Sequence, residues 1–434
     1  MIQTLRNAWK TPELRAKLLF TLLIIVLYRL GAVIPMPFVN GQLLSTFLTT
    51  QTDGSLFQYL NILSGEAFSR ATLFALSISP YITASIVMQL LTIAIPALER
   101  MQKEGEDGRK KINQITRYVT VGLGLIMSFG YYQFLRNNNY SSEILTERGR
   151  SVFGAIVIIS VYVAGSSLIM WLAEKINESG IGNGISIILF ANIVSSLPNI
   201  VFSLINLASQ GTVSGILILV FGIVLSLVTI YFVVFMTNSE RRLPVQYAKR
   251  VVGRKMYGGQ NTNLPISINM NGVMPIIFAN AIVSIPTTIM VFFSIQEGSF
   301  WDGLRKALNY TSPVYWVVNF LLIIAFAYFY VAISFNPVEV ANNLKKNGGF
   351  IPGIRPGKPT SDYIKKILNK VTLIGALFLG IVAVVPLILA SFVPNLSGFA
   401  FGGSSLLIVV GVILETQREI EAQLTMRHYK GFLE

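Results

Sequence analysis

Cysteine is absent from all 434 residues, and histidine occurs once, at His428. Without thiols the chain forms no disulfide and no zinc–thiolate cluster. A single imidazole close to the last residue is a poor basis for a Ser-His hydrolase or an intramembrane metalloprotease. No enzyme, metal site or cofactor is expected from such a set of side chains. Charge is scarce as well. Asp, Glu, Lys and Arg make up 12% of the residues, against about 25% in soluble domains. Hydrophobic residues reach 53% and mean hydropathy is +0.62. The composition excludes a string of soluble domains and defines an all-α polytopic membrane protein.

A bilayer core about 30 Å thick takes roughly 20 apolar residues at about 1.5 Å each. Ten stretches qualify: residues 18–34, 74–98, 118–135, 152–172, 181–197, 213–236, 271–293, 314–335, 371–393 and 404–414. The tenth is short, and spans only if its helix continues through Glu415 and Thr416 or begins in the preceding FAFGG. The first could be a signal peptide, but YRLGAVIPMP follows it in place of a small-residue cleavage site, so a retained span is expected. Five spans on either side of residues 210–212 permit two halves, 1–209 and 210–434, although no sequence similarity links them.

Orientation follows from the basic residues. Of 34 Lys and Arg, 27 fall on the side shared by both termini and six on the other, with Arg29 inside the first span. Both termini are therefore expected in the cytoplasm. Arg29 is the single ionisable residue in the ten stretches. Ion-coupled transporters need charged or strongly polar midplane groups, so a secondary transporter or lipid flippase is the weaker reading. Arg29 itself is expected either to snorkel to the interface or to pair between helices.

Two loops on the cytoplasmic side, residues 238–270 and 336–370, exceed thirty residues and carry 13 basic residues. The first, SERRLPVQYAKRVVGRKMYGGQNTNLPI, alternates β-formers with cations and reads as a protruding hairpin or helix-turn with a basic face. Attraction to anionic lipid is the competing explanation. The second starts helically, breaks at Gly348 and Gly349, and presents FIPGIRPGKP, a tip stiffened by proline around Arg355. The planar fork of an arginine suits carboxylate or phosphate on a protein or RNA partner.

These segments carry a resemblance. YRLGAVIPMP, ILSGEAFSRATLFALSISPYITASIVMQLL, EGEDGRKKINQITRY, GIGNGISIILFANI, ERRLPVQYAKR, NMNGVMPIIFA, FNPVEVANNLKKNGGFIPGIRPG and FGGSSLLIVVGVILE occur in this order. The chain thereby resembles the SecY family, the central subunit of the bacterial protein-conducting channel. The resemblance implies ten transmembrane helices in two pseudo-symmetric five-helix halves around an hourglass pore, in the bacterial plasma membrane. A pore ring would comprise Ile78, Ile82, Leu189, Ile277 and Ile408. The sealing plug would match residues 59–72, with Asn61, Gly65, Glu66 and Arg70. Where the family often has Gly-Gly, this chain has Gly65 followed by Glu66.

The resemblance also implies a lateral gate between helices 2 and 3 and helices 7 and 8, with Thr83, Gln89 and Asn280 as polar groups in it. Arg241, Arg242, Lys249, Arg250 and Arg355 would dock the SecA motor ATPase or the ribosome. SecE and SecG would be small membrane partners, and signal peptides, nascent chains and membrane lipids would meet the channel itself. No GK[ST] phosphate loop is present, so a partner would supply the energy.

Overall fold

The computed structural model describes residues 2–51, 61–137, 141–209, 213–247, 250–252, 255–257, 261–270, 272–291, 298–309, 311–392 and 402–430. Helices occupy all ten apolar stretches. They are α1 (Pro12–Gly31), α2 (Ser79–Ala94), α3 (Glu106–Asn137), α4 (Val152–Ser179), α5 (Gly184–Ser209), α6 (Val213–Asn238), α7 (Met274–Val291), α8 (Pro313–Ser334), α9 (Lys358–Phe392) and α10 (Gly402–Lys430). Among the described residues, α3, α4, α6, α8 and α9 are each long and apolar enough to cross a membrane. A sixth candidate is α2 taken together with the helix Pro96–Lys103.

Local chemistry sets the helix ends. Ser151 caps α4 by accepting the Gly154 N–H at 3.1 Å. Ser312 caps α8, with Pro313 at its first position, where the missing N–H costs nothing. The second stretch departs most from its expected bounds of 74–98. Its helix starts at Ser79, because Ser77 is held at φ 51° in a turn. It stops at Ala94, because Ile95 is forced into an extended conformation by Pro96, and the chain bends by 99°. The tenth helix is far longer than its apolar stretch and does run on through Glu415 and Thr416.

Two groups of helices result. In the first, α3 packs on α2 and α4, and α4 packs on α1 and α5. In the second, α8 lies between α7 and α9, and α10 packs on α6 and α9. They meet along two seams, α5 against α6 and α10, and α2 with α3 against α7. Close approach needs a glycine where α4 meets the segment before α2. A Cβ on Gly165 would lie 2.3 Å from the Leu73 carbonyl oxygen.

The two long loops join in one small sheet, which the sequence reading did not anticipate. β1 (Glu240–Tyr247) pairs antiparallel with β4 (Asn261–Ser267), and on its other edge with β5 (Gly349–Phe350) through Gln246 opposite Phe350 and Tyr247 opposite Gly349. The short strands β2 (Arg250–Val252) and β3 (Lys255–Tyr257) form the hairpin tip. Much of the second loop is helical: Asn336 caps the helix Pro337–Lys346, and residues 358–370 are the first turns of α9. Leu243, Val245 and Ile266 of the sheet pack with Ile351, Ile364, Leu368 and Val371, so the sheet sits on its own apolar core.

Candidate functional site

Ile78, Ile82, Leu189, Ile277 and Ile408 come from four different helical segments and are all buried in one apolar cluster. Ile78 precedes the first turn of α2 and Ile82 follows one turn later. The cluster also contains Ile86, Ile188 and Leu407. Burial therefore brings the five side chains together without setting them apart from their neighbours.

A compact segment covers this cluster on one side. Residues 61–64 are helical, and turns follow up to Ser77. Asn61 Oδ1 accepts the Ser69 N–H at 3.0 Å, and Ser64 Oγ accepts the Phe68 N–H at 3.0 Å. Ile62 and Leu63 pack toward Val283, Tyr315 and Leu387 of α7, α8 and α9. Gly65, Glu66, Ala71 and Ser77 all have left-handed backbones, at φ 62°, 70°, 45° and 51°. For the last three, which carry a Cβ, such a conformation costs about 1–3 kcal/mol each and persists only when surrounding contacts hold it.

Those contacts are polar and come from α1 and α5. Asn192 Nδ2 donates to the Leu63 carbonyl at 2.7 Å and to Ser77 Oγ at 3.2 Å, while its Oδ1 faces Arg29 Nη1 at 3.5 Å. Of the two expectations for Arg29, the interhelical pairing is the one observed. A Cβ on residue 65 would stand 2.7 Å from Arg29 Nη1 and 2.9 Å from Ser195 Oγ, so at this left-handed position a larger residue would also displace the polar side chains around it. The Glu66 carboxylate takes Arg70 Nη2 at 2.7 Å on one oxygen and the Asn199 amide on the other. Asn192, Ser195 and Asn199 repeat at helical spacing, forming a polar stripe on α5 under the segment. The sequence reading named none of the three, although an asparagine inside an apolar stretch was a visible signal.

At the seam of α2 and α7, Gln89 Oε1 accepts the Tyr330 hydroxyl of α8 at 2.7 Å, and Gln89 Nε2 donates to Ser85 Oγ at 3.2 Å. Asn280 Oδ1 accepts Asn319 Nδ2 at 3.1 Å, a bond between α7 and α8 on the same side of the seam. Thr83 is buried on α2, and no hydrogen bond joins it to Asn280 among the described residues. Tyr330 and Asn319 are partners that sequence reasoning missed.

On the sheet, Arg241 and Arg242 are exposed, and Arg242 Nε contacts Glu240 Oε1 at 2.6 Å. Arg250 opens β2, opposite Tyr257. Lys249 lies outside the described residues. Arg355 is exposed at a tip fixed by buried Ile351 and by Thr360 Oγ1 donating to its carbonyl at 2.8 Å. Gly353 and Gly357 flank it with φ of 80° and 103°. Because β5 pairs with β1, the Arg355 tip and the base of the hairpin belong to one platform.

The bundle has an apolar centre, a polar-latched cover and a seam where two helix groups meet. Two solved protein-conducting channels share its fold. One, described by its plug domain stabilising the closed state and maintaining a membrane seal, gives a TM-score of 0.64 at 18% identity, over 94% of this chain and 92% of that one. The other, Sec61 in the canine ribosome-channel complex, gives 0.61 at 16% identity over 94% and 92%. The SecY family's sequence pattern matches residues 72–417. Protein translocase subunit SecY of Streptomyces scabiei is 44% identical over the whole of both chains. Its counterpart from Thermus thermophilus is 44% identical over all of this chain and 98% of its own. The chain belongs to the SecY family, and it is a channel subunit of a protein translocase.

Proposed function

We propose that the chain passes unfolded precursors through the centre of the bundle and releases hydrophobic segments sideways into lipid. The observation that carries this reading is that Ile78, Ile82, Leu189, Ile277 and Ile408, from four helical segments, are buried together in one apolar cluster. Aliphatic side chains dewet a constriction and offer a moving peptide no hydrogen-bond partner. One surface thus excludes ions at rest and lets a chain slide when open. The plug is residues 59–72, of which 59 and 60 lie outside the described residues and 61–72 are latched to α5, and its Glu66 turns to Arg70 and Asn199 rather than into the apolar centre.

The seam of α2 and α3 against α7 is the lateral gate, with Gln89 and Tyr330 across it. The seam of α5 with α6 is the hinge between halves 1–209 and 210–434, and ten helices cross a bacterial plasma membrane with both termini cytoplasmic. The platform bearing Arg241, Arg242, Arg250 and Arg355, together with Lys249 of the same loop, docks SecA or the ribosome. The canine relative's ribosome-bound state supports the latter. SecE and SecG complete the membrane complex, and signal peptides, nascent chains and lipids pass or line the gate. Reconstitution with SecE and SecA tests the reading. A secretory precursor should become protease-protected only when ATP is supplied. Equal protection in vesicles lacking this chain would overturn it.

A further inference from the structure

A short helix, Phe300–Ala307, connects α7 to α8 and packs on both. It lies at the ends of these helices remote from the sheet, since the sheet connects α6 to α7 and α8 to α9. At 100° per residue its sequence FWDGLRKA, continued by Leu308, gathers Phe300, Trp301, Leu304, Ala307 and Leu308 into one arc of about 120°. Asp302, Arg305 and Lys306 occupy the rest.

A helix of this pattern in water would turn the apolar arc toward the protein. Leu304, Ala307 and Leu308 do so and are half-buried, but the leading aromatic pair does not. Asp302 is 3% exposed, whereas Phe300 and Trp301 are 78% and 56% exposed and meet edge to face at 5.8 Å. The Asp302 carboxylate is covered by its own turn: Oδ2 accepts Lys306 Nζ at 2.8 Å and the Gly298 N–H at 3.3 Å, and Oδ1 lies 3.5 Å from Arg305. The Lys306 bond, then the Gly298 N–H, hold its carboxyl below the usual carboxylate range. One anion between two exposed cations leaves a net positive charge beside the aromatic pair. Exposed Val314, Val317 and Leu321 continue the apolar surface along α8.

We propose that Phe300–Ala307 is an interfacial anchor: its aromatic pair inserts at the acyl boundary of the leaflet opposite the docking sheet, and Arg305 and Lys306 face lipid phosphates. Its position between the ends of two spans sets it at headgroup height. Aromatic rings with flanking cations match that layer, where apolar and anionic chemistry lie a few ångströms apart. The α7–α8 pair is then held by lipid at one end and by the sheet at the other.

The test uses the full chain in vesicles with Trp9, Trp171 and Trp316 replaced by Phe, so that Trp301 alone reports. Lipids brominated near the headgroup end of the acyl chain should quench it at least about twofold more than lipids brominated near the methyl end. Aqueous acrylamide should quench it weakly. A spin label at Phe300→Cys, in a chain without other thiols, gives the same depth by oxygen against nickel-chelate exposure and stands if the Trp replacements unfold. Leu321→Cys reports the bilayer interior in the same vesicles, separating a misplaced chain from an unanchored helix. Acrylamide quenching as strong as for free indole would overturn the proposal. So would quenching by neither reagent, which would mean that protein covers the face.

Discussion

Replacing Tyr330 by Phe deletes one oxygen and keeps the ring in its contacts with Phe278 and Phe329, at centroid distances of 5.1 and 5.8 Å. What is lost is the 2.7 Å bond to Gln89, which joins α8 to α2 across the seam. Interhelical hydrogen bonds in membranes are worth about 0.6 kcal/mol on average and at most about 1.7. The closed-to-open ratio of the gate should therefore fall about threefold, and no more than about 18-fold. Gln89 retains its bond to Ser85, so the substitution strands one acceptor and no donor. If a signal peptide binds the open gate, its apparent affinity rises as that fraction rises, so Tyr330→Phe should bind a fluorescent signal peptide about threefold more tightly. Gln89→Leu and the double variant complete a cycle that isolates the pairwise contribution. A coupling of zero, or weaker binding by Tyr330→Phe, would refute the assignment of this contact to the moving seam.

Arg355→Glu reverses charge at an exposed side chain of the tip, and SecA-driven translocation in vesicles should fall sharply while the amount of inserted protein stays normal. Ile82→Asp should raise the resting ion conductance in planar bilayers, because a hydrated carboxylate wets an aliphatic constriction; Ile86→Asp, one turn onward, is the comparison. Gly65→Ala forces a Cβ to 2.7 Å from Arg29 Nη1 at a left-handed backbone position, which disfavours the latched segment by about 1–2 kcal/mol from the backbone alone. Its resting conductance should exceed wild type, and equality would remove residues 61–72 from the seal.

The helices were legible because twenty apolar residues in a row have one physical solution in lipid. Their ends were less so. The start of α2 depends on Ser77 adopting a left-handed turn under the Asn192 amide, a contact between positions 115 residues apart. The sheet was half legible: the hairpin of β1 and β4 was one of two readings of the first loop, but β5 is two residues long and exists only because β1 offers it an edge. Arg241, Arg242 and Arg355 were found through their composition and their turn residues. That they share one platform was not, since it follows from pairing between residues just over a hundred positions apart. Asn192, Asn199, Asn319 and Tyr330 were overlooked because each is a single polar residue in an apolar run, and its importance appears only when its partner is seen.

On the proposed assignment of the α2–α7 seam as the gate, the same polar residues explain how it can be both closed and responsive. The apolar cluster supplies contact without direction, so it can re-form around different occupants. Across the α2–α8 side of the seam, one described side-chain bond, Gln89 to Tyr330, adds direction. Each Leu or Ile at the centre of a helix favours lipid by about 0.3 to 0.6 kcal/mol, so one or two of them offset a bond of about 0.6 kcal/mol. A signal helix with a longer apolar core exceeds it several times over, whereas a polar segment gains nothing from the lipid side. Discrimination then rests on summed hydrophobicity rather than on any one sequence, which is what a conduit for many different precursors requires. A second strong bond at the seam would raise the threshold by roughly two more apolar residues, so a weak and nearly solitary bond is the arrangement that keeps short signals effective.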